Sequence, residues 1–318
     1  MAESFVGVRV AGGLLPAEFL SRIAAEGLEG QTSADYHLAL GETVREEANR
    51  AWSRLTGAWL TYREAAKDLP ESDRGTTLTR ERWLMILLNQ LGYGRVPLSP
   101  AGGLLAGDKR LPVSHIWEHV PMHLLGHRID LDRRTAGVAG AATSSPQSMV
   151  QQLLNRSAEY LWALLSNGLT LRLLRDSTSL VGSAYIEFDL EAIFDGDLFA
   201  DFLLLFRICH QSRLEIRDPE IGPASCWLET WRTESIESGS RALNQLRDGV
   251  IDAITTLGTG FLAHPANTEL REALAAGTLR IEDVNHSLLR VVYRLLFTFV
   301  AEDRGLLLAP DADHVAKS

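Results

Sequence analysis

The sequence is poor in the features that mark secreted and membrane-spanning proteins. Its two cysteines, Cys209 and Cys226, cannot form a disulfide scaffold and fit a reducing compartment. The longest apolar run, residues 291–301, contains Arg294 and is too short to cross a bilayer. Residues 1–18 include Glu3 and have no long apolar stretch, so we expect no signal peptide. Together these absences predict a protein of the cytoplasm that does not enter a membrane.

Basic charge is also scarce. The chain has 31 Lys and Arg against 41 Asp and Glu, a net charge of −10. This balance argues against a protein that coats nucleic acid over its whole surface and leaves room only for a local basic face. The 46% hydrophobic and 23% charged residues are typical of a globular protein, and the length of 318 residues predicts two or three domains.

Familiar catalytic and nucleotide-binding motifs are missing as well. The sequence contains no G-x-G-x-x-G, no G-x-x-x-x-G-K-[ST] and no G-x-S-x-G. These absences remove the motif-based support for a dinucleotide-binding fold, a P-loop ATPase or a serine hydrolase.

Hydrophobic periodicity divides the chain into three predicted segments. Residues 1–79 read as a helical lead, 80–217 as a mixed α/β domain and 218–318 as a helical region. The fold class we predict is α/β (α+β), a degenerate nuclease-like mixed sheet with flanking helices, followed by a mostly helical C-terminal third. The predicted helices are 18–25, 46–67, 80–91, 146–165, 198–213, 234–258, 268–276 and 281–304. The predicted strands are 111–117, 120–131, 169–175 and 183–190, the last two as an antiparallel hairpin.

The nuclease comparison rests on the order of these elements. A helix, strands, a Gln-rich helix and a further strand follow one another as in the PD-(D/E)xK nucleases. That chemistry needs an Asp, and then a carboxylate and a Lys one residue apart, to hold Mg²⁺ at the scissile phosphate. The expected positions hold His115, His123 and Leu124 instead. The sequence therefore predicts the scaffold without its catalytic residues.

Three histidines form the densest polar group. His119, His123 and His127 are four residues apart, a spacing that places them on one face of either a helix or a strand. Three imidazoles could hold Zn²⁺ with one position left for water, which would make the chain a metal-dependent hydrolase. Pro121 favours a strand, and along a strand the outer two histidines lie about 13 Å apart at ~3.3 Å per residue. Because that separation is too large for one ion, we place no metal ligand here and keep the hydrolase as an alternative.

Three stretches carry a family resemblance. They are SPQSMVQQLLNRSAEYLWALLSNGLTLRLLRDSTSL at 145–180, AYIEFDLEAIFDG at 184–196 and FLLLFRICHQSR at 202–213. They resemble the N-terminal region of large adenine-specific DNA methyltransferases of type IIG restriction–modification systems and of BREX- and DISARM-type phage-defence systems. The run LLRVVYRLLFTFVAEDRGLL at 288–307 is similar to the helix that leads into their methyltransferase domain.

The resemblance implies a reaction that residues 1–318 are not expected to perform alone. The family transfers a methyl group from S-adenosylmethionine to N6 of an adenine that is flipped out of the duplex. Its methyl-donor loop and Asn-Pro-Pro-Tyr tetrapeptide follow the region seen here, and neither occurs in this sequence. We therefore assign no catalytic residue, and no cofactor to this chain. The partners we expect are DNA and a methyltransferase domain, or other defence-system subunits, outside these residues.

Five residues are candidates for DNA contact. Arg172, Arg175 and Arg213 could reach phosphates, with Asn167 and Gln211 as polar helpers. Two other interpretations stay open. In one, Asn167 only ends a helix and the arginines form a solvated strand face. In the other, the whole chain is a non-enzymatic interaction module of a defence complex.

The helix predicted at 281–304 is unusually apolar. Its polar positions at 290, 294 and 298 form a narrow seam, and the rest of its circumference is apolar. We expect this surface to remain partly uncovered within the chain. The eight residues predicted to form it are Leu288, Leu289, Val291, Val292, Leu295, Leu296, Phe299 and Val300.

Overall fold

The structure is a computed structural model, and it describes residues 5–176, 184–303 and 305–307. The chain divides into two compact units, Met1–Ser235 and Ile236–Ser318. The helices of the first unit are α1 (Ala17–Ala24), α2 (Val44–Lys67), α3 (Thr76–Thr79), α4 (Met85–Gln90), α5 (Pro146–Arg156), α6 (Leu190–Asp195) and α7 (Phe199–Cys209), and α8 (Trp227–Ala263) begins in it. A π-helical turn, Arg80–Leu84, joins α3 to α4.

A six-stranded mixed sheet forms the centre of the first unit. A separate two-stranded sheet contains β2 (Leu104–Ala106) and β3 (Lys109–Leu111). The strands of the main sheet are β1 (Val8–Ala11), β4 (His115–Trp117), β5 (Val120–Leu124), β6 (Trp162–Ser166), β7 (Thr170–Arg175) and β8 (Ala184–Asp189), in the order β1-β8-β7-β6-β5-β4. Among the strands of this sheet that the structure describes, only β5 and β6 are parallel, and the crossover between them contains α5. A parallel pair requires such a crossover.

Each face of the main sheet carries its own apolar core. Alternate residues of a strand point to opposite faces, so Leu164 and Leu173 join the core formed with α1, α2, α4, α6 and α7. Leu165 and Leu174 join the second core, against α5 and β2. The same alternation places Arg172 on the α5 face. The predicted mixed sheet with flanking helices is therefore confirmed.

The start of α5 is as predicted, but its end is not. Ser145 accepts a hydrogen bond from the Ser148 amide and Pro146 occupies the first turn, which together begin the helix. The helix ends at Arg156 instead of 165, because Trp162–Ser166 form the central strand β6. Every residue of that strand is buried. A strand buried on both faces has no alternation, so its apolar run cannot be told from helix by periodicity.

The boundaries of the three predicted segments also differ from those of the structure. Residues 1–79 are not a separate helical lead: β1 pairs with β8, and α2 packs into the main core. The predicted strand 120–131 ends at Leu124. The predicted hairpin is confirmed as the antiparallel pair β7–β8, although residues 177–183 of its connection lie outside the described residues.

The second unit is helical. It contains the later part of α8, then α9 (Thr268–Ala275) and α10 (Ile281–Asp303). The prediction of a mostly helical C-terminal third is confirmed. The structure lengthens α8 relative to the predicted helix 234–258, because its first turns pack Leu228 and Trp231 into the main core of the first unit.

Candidate functional site

A polar groove of about 480 Å³ lies where the two parallel strands end. The loop after β5 supplies His127, Asp130 and Asp132, and Asn167 follows β6 directly. The lining is completed by Thr170 and Arg172 of β7, Glu187 of β8, and Arg128, Ile129 and Leu131 of the loop after β5. Ligands in open α/β sheets bind outside the carboxyl ends of the strands, so the topology makes this groove the first candidate site of the first unit.

Arg172 lies at the centre of the groove, and carboxylates of the same chain pair with its guanidinium. Its Nη1 and Nη2 each donate to Asp132 at 2.7 Å, and its Nε donates to Glu187 at 2.7 Å. Nη1 also donates to Gln147 at 3.1 Å, and the side chain lies over the ring of Tyr185. Only 5% of the residue is exposed. With two carboxylates on one guanidinium, the cluster presents negative charge to the groove.

The ionisation of this cluster follows from its contacts. Burial lowers the pKa of Arg172, but its hydrogen bonds to Asp132 and Glu187 outweigh burial and hold that pKa above its ordinary value. The hydrogen bond from Arg172 lowers the pKa of Asp132. Arg172 and Asp132 are therefore charged at neutral pH, and a phosphate that approached Arg172 would meet the side chains of Asp132 and Glu187.

Asn167 builds the turn beside this groove. Its Oδ1 accepts from the amides of Leu169 and Thr170, and its Nδ2 donates to the Ile129 carbonyl at 2.9 Å. Gly168 follows with a φ of 88°. These bonds fix the β6–β7 turn and tie it to the loop after β5. The prediction that Asn167 ends a helix is wrong, because Asn167 lies in a turn that joins two strands.

The other three candidate DNA contacts lie apart from the groove. Arg175 pairs with Glu229 at 2.7 Å. Arg213 is fully buried, donates to the carbonyls of Gly30 and Asp35, and lies over the ring of Tyr36. Arg172, Arg175 and Arg213 thus contact partners within the chain and do not form a solvated strand face. The structure thus does not bring the five candidates together as one basic face.

Gln211 is half-buried in a short 3-10 turn with Arg213. Its backbone amide donates to the Leu91 carbonyl at 2.9 Å. Its side chain lies against Gly92, a glycine with a φ of 90°. Gln211 therefore helps to hold the end of α7 against the end of α4.

The three histidines have three separate environments. His119 lies in the β4–β5 turn, where its Nε2 is 2.9 Å from the Leu214 carbonyl. His123 is buried in β5, and its Nδ1 accepts from the Ser114 amide. His127 follows the strand, near Thr79. Within the described residues, no three His, Cys, Asp or Glu side chains are placed to hold a metal ion.

The second unit carries an exposed apolar surface on α10. Of the eight residues predicted to form it, Leu288 and Val292 are buried, whereas Val291, Leu295, Phe299 and Val300 are exposed. Tyr293 and Phe297 were missed, and Phe297 is 75% exposed. The sequence could have indicated both residues. Where apolar residues occupy most of the circumference of a helix, some of them must lie on sides that the rest of the chain does not cover.

The described residues contain no helix that is both long enough and apolar enough to cross a membrane. No protein-family model, curated protein or solved structure matches the chain.

Proposed function

We propose that this chain is the N-terminal module of an adenine-specific (N6) DNA methyltransferase from a bacterial restriction or phage-defence system. In this proposal the module is cytoplasmic and performs no chemistry itself. A methyltransferase region outside residues 1–318 binds S-adenosylmethionine and carries the catalytic tetrapeptide. The module supports that region and holds it in place for its DNA substrate.

The single observation that carries this proposal is the apolar surface of α10. Phe299 is 59% exposed, and Val291 and Leu295 lie on neighbouring turns of the same helix. Exposed apolar residues at this density mark an interaction site. In the family that the sequence resembles, the corresponding helix leads into the methyltransferase domain, which would cover this surface.

The contacts of the arginines favour a protein partner over DNA as the module's main contact. Arg172 and Arg175 are paired with carboxylates, and Arg213 is buried under aromatic rings. Phosphate contacts need cationic side chains that can exchange their partners for the DNA backbone. Two of these three would first have to give up an ion pair, and the third would have to leave the core.

The experiment is a map of N6-methyladenine in the genome of the source cells. Deletion of the sequence encoding this chain is expected to abolish methylation at one recognition sequence. Phe299→Glu is expected to lower it, because the charge disrupts the apolar contact. Leu105→Glu, on an exposed residue of β2, is the matched control and is expected to leave methylation unchanged. An unchanged methylation map after the deletion would refute the proposal.

The same exposed surface supports a second candidate, a non-enzymatic interaction module of a defence complex. The methylation map of the deletion strain distinguishes the two candidates. For the second, Phe299→Glu releases a co-purifying subunit, and the methylation map of the deletion strain equals that of the parent strain. The metal-dependent hydrolase has no comparable support, because the three histidines contact separate parts of the fold.

A further inference from the structure

Two arginines on α10 lie one helical turn apart and are exposed. Arg290 and Arg294 form no ion pair with any described residue. The sequence explains this, because no Asp or Glu lies three or four residues from either of them. Like charges at this spacing destabilise a helix by ~0.2–0.5 kcal/mol. An anionic partner from outside the helix would relieve this repulsion.

An apolar strip borders this pair. Successive residues of an α-helix are rotated by about 100°, so Tyr293, Phe297 and Val300 share one side of α10. All three are exposed. On the helix surface Tyr293 lies three residues from Arg290, and Phe297 lies three residues from Arg294, so each is a neighbour of one arginine. The strip is angularly distinct from the one that contains Phe299. Apolar anchors at i, i+4 and i+7 are typical of contacts between helices.

We propose that this strip binds a partner α-helix whose apolar stripe is bordered on one side by Asp or Glu residues. The apolar stripe covers Tyr293, Phe297 and Val300, and the carboxylates pair with Arg290 and Arg294. The proposal rests on the proposed function in one respect, since it places the partner helix in the region outside residues 1–318. It adds the charge pattern by which that helix is recognised.

The distribution of charge along α10 disfavours three other occupants of the strip: a second copy of α10, anionic lipid and DNA. Both ends of α10 carry acidic residues, Glu282 and Asp283 at one end, where Asp283 pairs with Arg280, and Glu302 and Asp303 at the other. In a parallel pair of two α10 helices, every charge would meet its own copy. An antiparallel pair centred on Val292 would set the acidic ends against each other and Arg290 against Arg294. The same acidic ends would be repelled by anionic lipid and by DNA.

The test uses the full chain and two synthetic helical peptides of about six turns. Both peptides carry the same Leu stripe, bordered by Glu in one and by Lys in the other. Fluorescence anisotropy is expected to show the Glu peptide binding roughly tenfold tighter than the Lys peptide, a difference of about 1.4 kcal/mol. The double variant R290E/R294E is expected to reverse this preference, and F297E to weaken both peptides.

The matched control is R241E/R247E, the same charge change at two exposed arginines of α8. It is expected to preserve the preference for the Glu peptide. Equal affinity for the two peptides, or a preference that R290E/R294E leaves unreversed, would overturn the proposal. So would tighter binding to anionic vesicles or duplex DNA, or a dimer that competes with the Glu peptide. Peptide binding does not depend on methylation, so failure here and failure of the proposed function are distinguishable.

Discussion

Arg172 and Asp132 form a two-pronged ion pair that joins strand β7 to the loop after β5, with both N···O distances at 2.7 Å. Glu187 accepts the remaining Nε hydrogen of the same guanidinium. One side chain thus connects β7, β8 and the loop that forms the wall of the groove. Its contribution to the fold can be measured.

Arg172→Met is expected to lower the free energy of unfolding by about 3–5 kcal/mol. The change leaves Glu187, a nearly buried carboxylate, with only a 3.8 Å contact to the largely exposed Arg9. Chemical denaturation measures the loss. Arg133→Met is the control, because Arg133 is largely exposed and its pair with Asp130 is long at 3.5 Å. The control is expected to change stability by less than about 0.5 kcal/mol. Equal effects of the two substitutions would contradict the internal role of Arg172.

Acid is expected to destabilise the first unit through its buried histidines. Burial lowers the pKa of His123 to about 3, and burial with the charge of Arg213 lowers that of His210 to about 3. In the unfolded chain both titrate near 6.5. The unfolded state therefore binds more protons between these values, and stability falls as the pH drops below about 6.5. At pH 5 the expected loss is on the order of 2 kcal/mol for each histidine.

Urea unfolding at pH 7 and pH 5 measures this effect. His123→Gln is expected to reduce the difference in stability between the two pH values, since the variant has no imidazole to protonate. His264→Gln, at an exposed histidine, is expected to leave that difference unchanged. A His123 variant as acid-sensitive as the parent chain would show that His123 is not the group being protonated.

Gly168 is expected to tolerate no side chain. Its φ is 88°, and a Cβ there would lie 2.4 Å from Thr79 Cγ2 and 3.1 Å from the Tyr62 hydroxyl. Gly168→Ala should therefore lower the melting temperature, with a cost of about 1–3 kcal/mol. Gly57→Ala is the opposite case. Gly57 lies in the middle of α2 with open space around it, so alanine should stabilise the helix by about 0.5–1 kcal/mol. Equal responses at the two glycines would contradict this difference.

Phe299→Glu is expected to reduce the binding of a hydrophobic fluorescent dye by the isolated chain. The side chain is exposed, so its replacement removes apolar surface without opening a core. Far-ultraviolet circular dichroism should remain unchanged. Leu105→Glu again serves as the control, since it removes an isolated exposed leucine. Unchanged dye binding in Phe299→Glu would show that the dye reports another surface.

The sequence predicted the elements whose pattern is local. Alternating residues revealed β7 and β8, and Ser145 with Pro146 revealed the start of α5. Periodicity failed at β6, where all residues are buried. It also missed β1, whose four residues are too few to establish a period and whose partner is distant in the chain.

The candidate site was harder to predict because it depends on long-range partners. From the type of residue, the sequence singled out Arg172 and Arg175 as candidates for DNA contact. Their carboxylate partners, Asp132, Glu187 and Glu229, lie on other elements and are revealed only by the fold. An arginine in a strand has the same local sequence whether its guanidinium contacts a phosphate or a carboxylate. By contrast, the uncovered surface of α10 could be predicted, because it is a property of one helix.

The pairing of β1 with β8 has a consequence for biosynthesis. Val8 leaves the ribosome early, but its partner Phe188 is made only near the end of the first unit. The sheet therefore cannot close at this edge during most of translation, and the entropy lost in closing so long a loop must be compensated by contacts made late. Until β8 is made, β1 has no partner and can pair with the wrong strand, from the same chain or another. Folding of the nascent chain should thus be most vulnerable to aggregation just before β1 docks.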